Sequence, residues 1–215
     1  MIISWGRSFI FVHIPKTGGT ALTLALENRA KADDILIGDT PKAQRRKHRL
    51  DELRPAGRLW KHSTLADIDG LVSPDAMAEM QVFTLVRNPW DRVVSYYHWL
   101  RGQSFSHEAV GLAKALGFSE FLNHPHTVRT LSRDQYARYV TDATGQERCD
   151  HWVRIEAFER DIAPVEAHLG FSLAPLARVN ESDRPTGYRA LYSDADAALV
   201  GRIWAGDISR FGYTF

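Results

Sequence analysis

The chain has 215 residues, 44% of them hydrophobic, with 27 Lys and Arg against 26 Asp and Glu. That length and apolar content suit one compact domain with a sizeable core, and a formal charge of +1 gives no basis for bulk nucleic-acid binding. No apolar run reaches membrane-spanning length, and a single cysteine, Cys149, excludes an internal disulfide and fits a reducing compartment.

The opening MIISWGRSFIFVHIP lacks the basic start, long apolar centre and small-residue cleavage site of a secretion signal, so the expected location is cytoplasmic. Residues 9–14 (FIFVHI) are aromatic and β-branched, end at Pro15, and predict a buried strand. From Thr20, TALTLALENRA spaces Leu22 and Leu26 on one helical face, so a helix follows directly. DDILIGDT suggests a further strand, and RLWKHST at 58–64 a stronger one. Between them PKAQRRKHR (41–49) is the one dense charge run, expected to be a solvated face or else a rim that attracts an anionic substrate.

MQVFTLV at 80–86 predicts a buried strand running into RNPWDRVVSYYHWLRG, where Asn88 caps a helix, Pro89 opens it and Gly102 ends it. Residues 103–150 carry short helical patterns and no clear strand. A short strand at 152–155 and a helix ending at Gly170 follow. The last segment opens on the capping-box pair Ser193 and Asp196, with Leu199, Val200, Ile203, Trp204 and Ile208 at helical spacing. Alternating strands and helices predict an α/β fold with a central, mainly parallel sheet, and a ligand beyond the carboxyl ends of its strands.

Strand, Pro15-Lys16-Thr17-Gly18-Gly19-Thr20, then helix is an arrangement that binds anions. Glycines let backbone N–H groups approach a ligand, and the helix N-terminus adds the positive end of its dipole. Lys16 supplies a point charge, and Thr17 and Thr20 supply hydroxyls. The order differs from a Walker loop, whose lysine follows the last glycine and precedes a magnesium-binding hydroxyl. Arg87 stands at the carboxyl end of the next predicted long strand, and Ser95 lies about two turns into the helix after it. The two can converge on one phosphate as a second anion site, with the arginine's donor fork suited to it. Two such sites suit a ligand phosphorylated at two ends.

HIPKTGGT together with VRNPWDRVVSYY closely resembles the sulfotransferases that use 3′-phosphoadenosine 5′-phosphosulfate (PAPS), especially the carbohydrate O-sulfotransferase-like branch. The resemblance continues more softly through VRIEAFERDI, LARVNESDR and DISRFGYTF. It implies a P-loop-like three-layer α/β fold, a single sulfotransferase-like domain over 1–215 with 103–150 as a helical and loop insertion on the acceptor side, and PAPS as co-substrate with PAP as product. Lys16, Thr17, Gly18, Gly19 and Thr20 would bind the 5′ end, and Arg87 and Ser95 the 3′-phosphate. Ser182 and Arg184 of NESDR are further nucleotide candidates, Arg184 standing equally well as a solvated loop residue. The partners implied are a saccharide or other small acceptor, with neither nucleic acid nor a membrane span.

Sulfuryl transfer needs a cation at the bridging oxygen and a base for the acceptor's proton. Lys16 is the candidate cation, and this logic requires no metal. His62, in LWKHSTLADI, is the candidate base, because related sequences of the branch carry their assigned base in a similar segment. Its intrinsic pKa suits proton removal near neutrality. His13, two residues before Pro15, is the rival, expected to orient the loop or the substrate. His98 reads as structural, and neither Cys149-Asp150-His151 nor His124 and His126 has the spacing of a closed metal site. Glu156 reads as an ion-pair residue for an arginine such as Arg154, or else as an acceptor-side residue. Trp60, Tyr96, Tyr97 and Trp99 are either sugar-stacking or core residues. The alternatives to sulfuryl transfer are a nucleotide-dependent kinase and a non-catalytic nucleotide-binding protein on the same fold.

Overall fold

The structure, a computed structural model, describes residues 1–176 and 187–215. In chain order the elements are β1 (Ile2–Ser4), β2 (Phe9–Val12), α1 (Gly19–Asn28), β3 (Ile35–Leu36), α2 (Pro41–Arg45), α3 (Pro74–Ala78), β4 (Gln81–Val86) and α4 (Pro89–Arg101). They continue with α5 (Glu108–Ala115), α6 (Phe118–Asn123), α7 (Pro125–Arg133), α8 (Tyr136–Val140), β5 (His151–Arg154), α9 (Phe158–Asp161), α10 (Ala163–Leu169), α11 (Asp194–Ile203) and α12 (Ala205–Phe211). These fall into two compact units, Met1–Val86 with the described part of Tyr136–Val179, and Arg87–Gln135 with the described part of Asn180–Phe215.

The first unit is built on a five-stranded mixed sheet in the order β3-β1-β2-β4-β5. β2 pairs parallel with β4 (Phe11 opposite Phe83), and β4 parallel with β5 (Leu85 opposite Val153). β1 is antiparallel to both β2 and β3, so β3 runs with β2 and only β1 reverses. The sequence reading passed over β1, whose three residues are too few to show a period; a single turn at Trp5–Arg7 returns the chain into β2.

Both faces of the central strands are buried, as parallel strands require. Phe9, Phe11, Phe83, Leu85 and Val153 share one core with Leu22 and Leu26 of α1 and with Val165 and Leu169 of α10. Phe83 stands against Phe9 and Phe11, with ring centroids 5.5 and 5.4 Å apart. At about 25 cal/mol per Å² of apolar surface, three phenylalanines and their aliphatic neighbours make this face the main stabilising block of the unit. Gly170 ends α10 in the left-handed conformation, as its place in the sequence predicts.

Residues 58–64 correct the sequence reading, which predicts a strand there: the segment is a turn. Polar side chains outbid a ladder for its backbone. The buried Ser63 hydroxyl accepts from Trp60 N and lies within 2.9 Å of the carbonyls of both Arg58 and Trp60. Asp67 accepts from the amide of Thr64 at 2.7 Å and from its hydroxyl at 3.0 Å.

The basic run 41–49 also finds a role that its charge alone did not show. Lys42 donates to the carbonyl of Glu27, Arg46 to that of Lys31 and Arg49 to that of Ala32. These cations neutralise carbonyls at and just beyond the end of α1, the negative end of its dipole.

In the second unit, α4 buries Trp90, Val93, Val94, Tyr97 and Leu100 against α5, α6 and α11. Asn88 caps α4 by accepting from Trp90 N at 3.1 Å, Pro89 fills the first helical position, and Gly102 follows the last turn. The Ser193–Asp196 capping box forms as predicted at the start of α11. Among the described residues, no helix is long and apolar enough to cross a membrane.

Candidate active site

In the first unit β2 ends at Val12, and residues 13–18 carry the chain into α1. Two of them have positive φ, Lys16 at 65° and Gly18 at 87°. For a residue with a side chain that conformation costs on the order of 1–3 kcal/mol and persists only where the surroundings impose it. Here it falls on the predicted cation. Thr17 is fully buried and donates its hydroxyl to Ile14 O at 2.9 Å, so its side chain closes the loop from within. Thr20 stays half-buried in the first turn of α1, where the leading amides have no carbonyl one turn back.

The two glycines have reasons internal to the protein. A Cβ on Gly18 would lie 2.2 Å from Ile155 Cδ1, and one on Gly19 would lie 2.2 Å from His13 Cδ2 and 2.5 Å from His13 Nε2. The His13 ring therefore rests directly on the first residue of α1. It is only 6% exposed and stacks on Phe11, with centroids 6.0 Å apart. Burial, reinforced by the positive charges of Lys61 and Lys16, drives its pKa well below the ordinary value, so the ring is neutral.

His62 meets this ring from the turn. Its ring stands at 73° to that of His13 with centroids 4.7 Å apart, and its Nδ1 lies 2.8 Å from His13 O. A carbonyl oxygen only accepts, so Nδ1 carries the proton and the lone pair of the neutral ring is on Nε2. Burial pushes the pKa of His62 down to about 4, with Lys61 adding to it and the bond to the His13 carbonyl opposing it. At neutral pH the ring is therefore an unprotonated base whose tautomer the main chain sets. Beyond it, Trp60 stands at 87° to the His62 ring with centroids 5.0 Å apart. Lys61, between the two, is paired with Asp39 at 2.6 Å.

In the second unit Arg87 follows β4 by one peptide bond, and its guanidinium is held by Asp91 through Nε at 2.8 Å and Nη2 at 2.6 Å. Asp91 and Ser95, four residues apart, share one side of α4, and Arg87 precedes the helix's N-cap, Asn88. Ser95 is buried, and Asp91 emerges as the residue that orients the arginine. The i, i+4 spacing of opposite charges was the available signal for it. Ser182 and Arg184 lie outside the described residues.

Most of the other residues singled out make structural contacts. Asp150 accepts from Val82 N at 2.8 Å and His151 Nε2 lies 3.2 Å from Gln81 Oε1, which fastens β5 to β4. His124 caps α7, and His126 pairs with Glu108 at 2.9 Å. Arg154 is held by Asp161 at 2.7 Å. Tyr97 is buried and donates to Leu116 O, whereas Trp60 and Trp99 remain 44% and 38% exposed. No group of three or more potential metal-ligating side chains lies together among the described residues.

The chain is similar to known proteins in the following ways. The model of the sulfotransferase family matches residues 1–214. A crystal structure of mouse sulfotransferase SULT7A1 complexed with PAP shares 15% identity at a TM-score of 0.41, covering 93% of this chain and 65% of that one. This chain thus spans about two thirds of the mouse protein. A sulfotransferase from Alicyclobacillus acidocaldarius shares 19% identity at a TM-score of 0.45, covering 94% of this chain and 93% of that one. No curated protein sequence matches. Both structural likenesses are loose, but the family match runs from the first strand past the last helix, and the chain belongs to the sulfotransferase family.

Proposed function

We propose that the protein transfers a sulfuryl group from PAPS to a hydroxyl of a saccharide or other small acceptor, with His62 as the base. The observation that carries this reading is the 2.8 Å bond from His62 Nδ1 to the His13 carbonyl, which puts the lone pair on Nε2. In the transfer a bond forms from the acceptor oxygen to sulfur, the bond from sulfur to the bridging oxygen breaks, and PAP leaves. His62 Nε2 takes the acceptor's proton as its oxygen attacks. Lys16, in the strained loop, would neutralise charge growing on the bridging oxygen, and the leading amides of α1 would hold the oxygens around it. Both act where charge develops, which is where a fixed donor lowers a barrier most.

Gly18, Gly19, Thr17 and Thr20 would shape the 5′ cradle, and Arg87 and Ser95 would take the 3′-phosphate. An arginine has five N–H donors, and Asp91 engages it through two nitrogens, fixing the fork before a ligand arrives. Ser182 and Arg184 enter on the resemblance alone. Cys149 is half-buried and in no disulfide, which fits a reducing compartment, and we assign the protein to the cytoplasm on that ground.

The test is transfer of labelled sulfate from PAPS with wild type and His62→Ala, alongside PAP binding by calorimetry. Removal of the base is expected to lower kcat by about 10²–10⁴ and leave the PAP affinity within about twofold. Equal turnover by the two proteins would remove His62 from the mechanism. Absence of PAP binding at millimolar concentration would remove the whole reading.

A further inference from the structure

Within the first unit a continuous row of contacts runs outward from the N-terminus of α1. The His13 ring rests on Gly19, His62 meets His13 at 4.7 Å, Trp60 meets His62 at 5.0 Å, and the Arg58 guanidinium lies 5.8 Å from the Trp60 ring. The inner end of that row is the anion loop. The outer end is an indole with 44% of its surface in solvent.

An exposed tryptophan on a loop ordinarily has freedom to move, but this one does not. Ser63 is fully buried and ties the backbone on both sides of it, accepting from Trp60 N at 2.9 Å and lying 2.9 Å from the carbonyls of Arg58 and Trp60. Ser63 N also donates to Trp60 O at 2.9 Å, and Leu65 N to Tyr139 O at 3.0 Å. The perpendicular His62 ring and the Arg58 cation constrain the indole itself. These polar contacts and two ring contacts thus hold a large apolar surface in water, beside the ring assigned as the base. An indole held rigid in this way loses little entropy when a ligand stacks on it.

We propose that Trp60 is the acceptor-positioning residue, a platform on which the apolar C–H face of a pyranose ring stacks so that one of its hydroxyls reaches His62 Nε2. This rests on the functional reading above and adds to it the acceptor subsite. The donor loop and the platform lie at opposite ends of the row, and the base stands between them. The Arg58 guanidinium lies 5.8 Å from the Trp60 ring centroid, on the platform's outer side.

The experiment is saturation-transfer NMR on the PAP-loaded protein with methyl glucopyranoside, methyl galactopyranoside and methyl glucuronide as probes, and cyclohexanol and phenol for comparison. Wild type should saturate the ring C–H protons of at least one glycoside, Trp60→Phe should retain part of the effect, and Trp60→Ala should weaken binding by about tenfold. An equal glycoside signal in Trp60→Ala would overturn the proposal, as would saturation of phenol or cyclohexanol alone, or no glycoside signal from wild type. The thermal shift produced by PAP separates the two levels. A PAP shift in both proteins without glycoside binding sinks only the platform, whereas no PAP shift in wild type sinks the functional reading beneath it.

Discussion

Two segments of the first unit each bring a histidine to the same place, and they are held there by opposite means. Residues 9–20 pass from a strand into a helix, with the loop fixed by the sheet on one side, α1 on the other and two glycines that admit Ile155 and His13. Residues 58–64 belong to no strand or helix, and one buried hydroxyl, that of Ser63, keeps their shape. The first is a product of backbone geometry and the second of side-chain hydrogen bonding. The joint between them is the bond from His62 to the carbonyl of His13, so neither segment alone sets the tautomer of the base.

The sharpest way to break this comparison is to remove the histidine that the weaker segment carries, with the loss in kcat given above. Next in size is Gly19→Ala, which places a methyl group inside the His13 ring. Overpacking of this kind costs about 1–3 kcal/mol, so denaturant melts should show a loss in that range together with loss of PAP binding. An unchanged melt would mean that His13 has another position open to it. Ser63→Ala strips the hydroxyl from the turn and leaves Trp60 N without its partner, for an expected loss of about 1–3 kcal/mol. Transfer activity should fall with it, while PAP binding should survive; retention of both would show that the turn does not depend on Ser63. Smallest is Asp39→Asn, which removes an exposed pairing with Lys61 worth about 0–1 kcal/mol, and thermal melting should barely move.

Acidity separates the two classes of titrating group. An unfolded histidine takes a proton near its ordinary value, while folded His62 stays neutral until about pH 4. The unfolded state therefore binds more protons in that window, and stability should fall as pH drops from about 6.5 toward 4. His62→Gln should make that part of the curve shallower and leave the contribution of buried His13. Asp142 and Asp161 act lower down. The Thr144 and Arg154 hydrogen bonds hold their carboxyls at about 2, so their contribution persists to the ordinary carboxylate range and is lost only below it. A stability profile with no slope above pH 4.5 would contradict the buried, neutral pair of histidines.

What could be read in the sequence followed the same divide. The strand, glycine loop and helix at 9–28, the Asn88-Pro89 helix start and the Ser193 capping box all stand as local patterns, because backbone conformation and apolar spacing determine them. The segment 58–64 carries Leu59 and Trp60 but little else that marks a strand, and its backbone bonds to Ser63 and its neighbours instead of to a sheet. His62 could be singled out by family resemblance while its setting could not, since the carbonyl that orients it comes from 49 residues away. Asp91 and Ser63 were missed for a related reason. Each acts through another residue, and such a role is visible only once the partner's position is known. The glycines were read as openings for a ligand, whereas the packing shows that Ile155 and His13 already require them.

The account stands on the state of one ring, and nitrogen-detected NMR of the imidazoles in the free protein reads it directly. For His62 the expected result is a neutral ring at pH 7 with the proton on Nδ1, titrating near pH 4. A proton on Nε2 would contradict the assignment of that nitrogen as the base, and a midpoint near the ordinary histidine value of about 6.5 would contradict the burial of the ring.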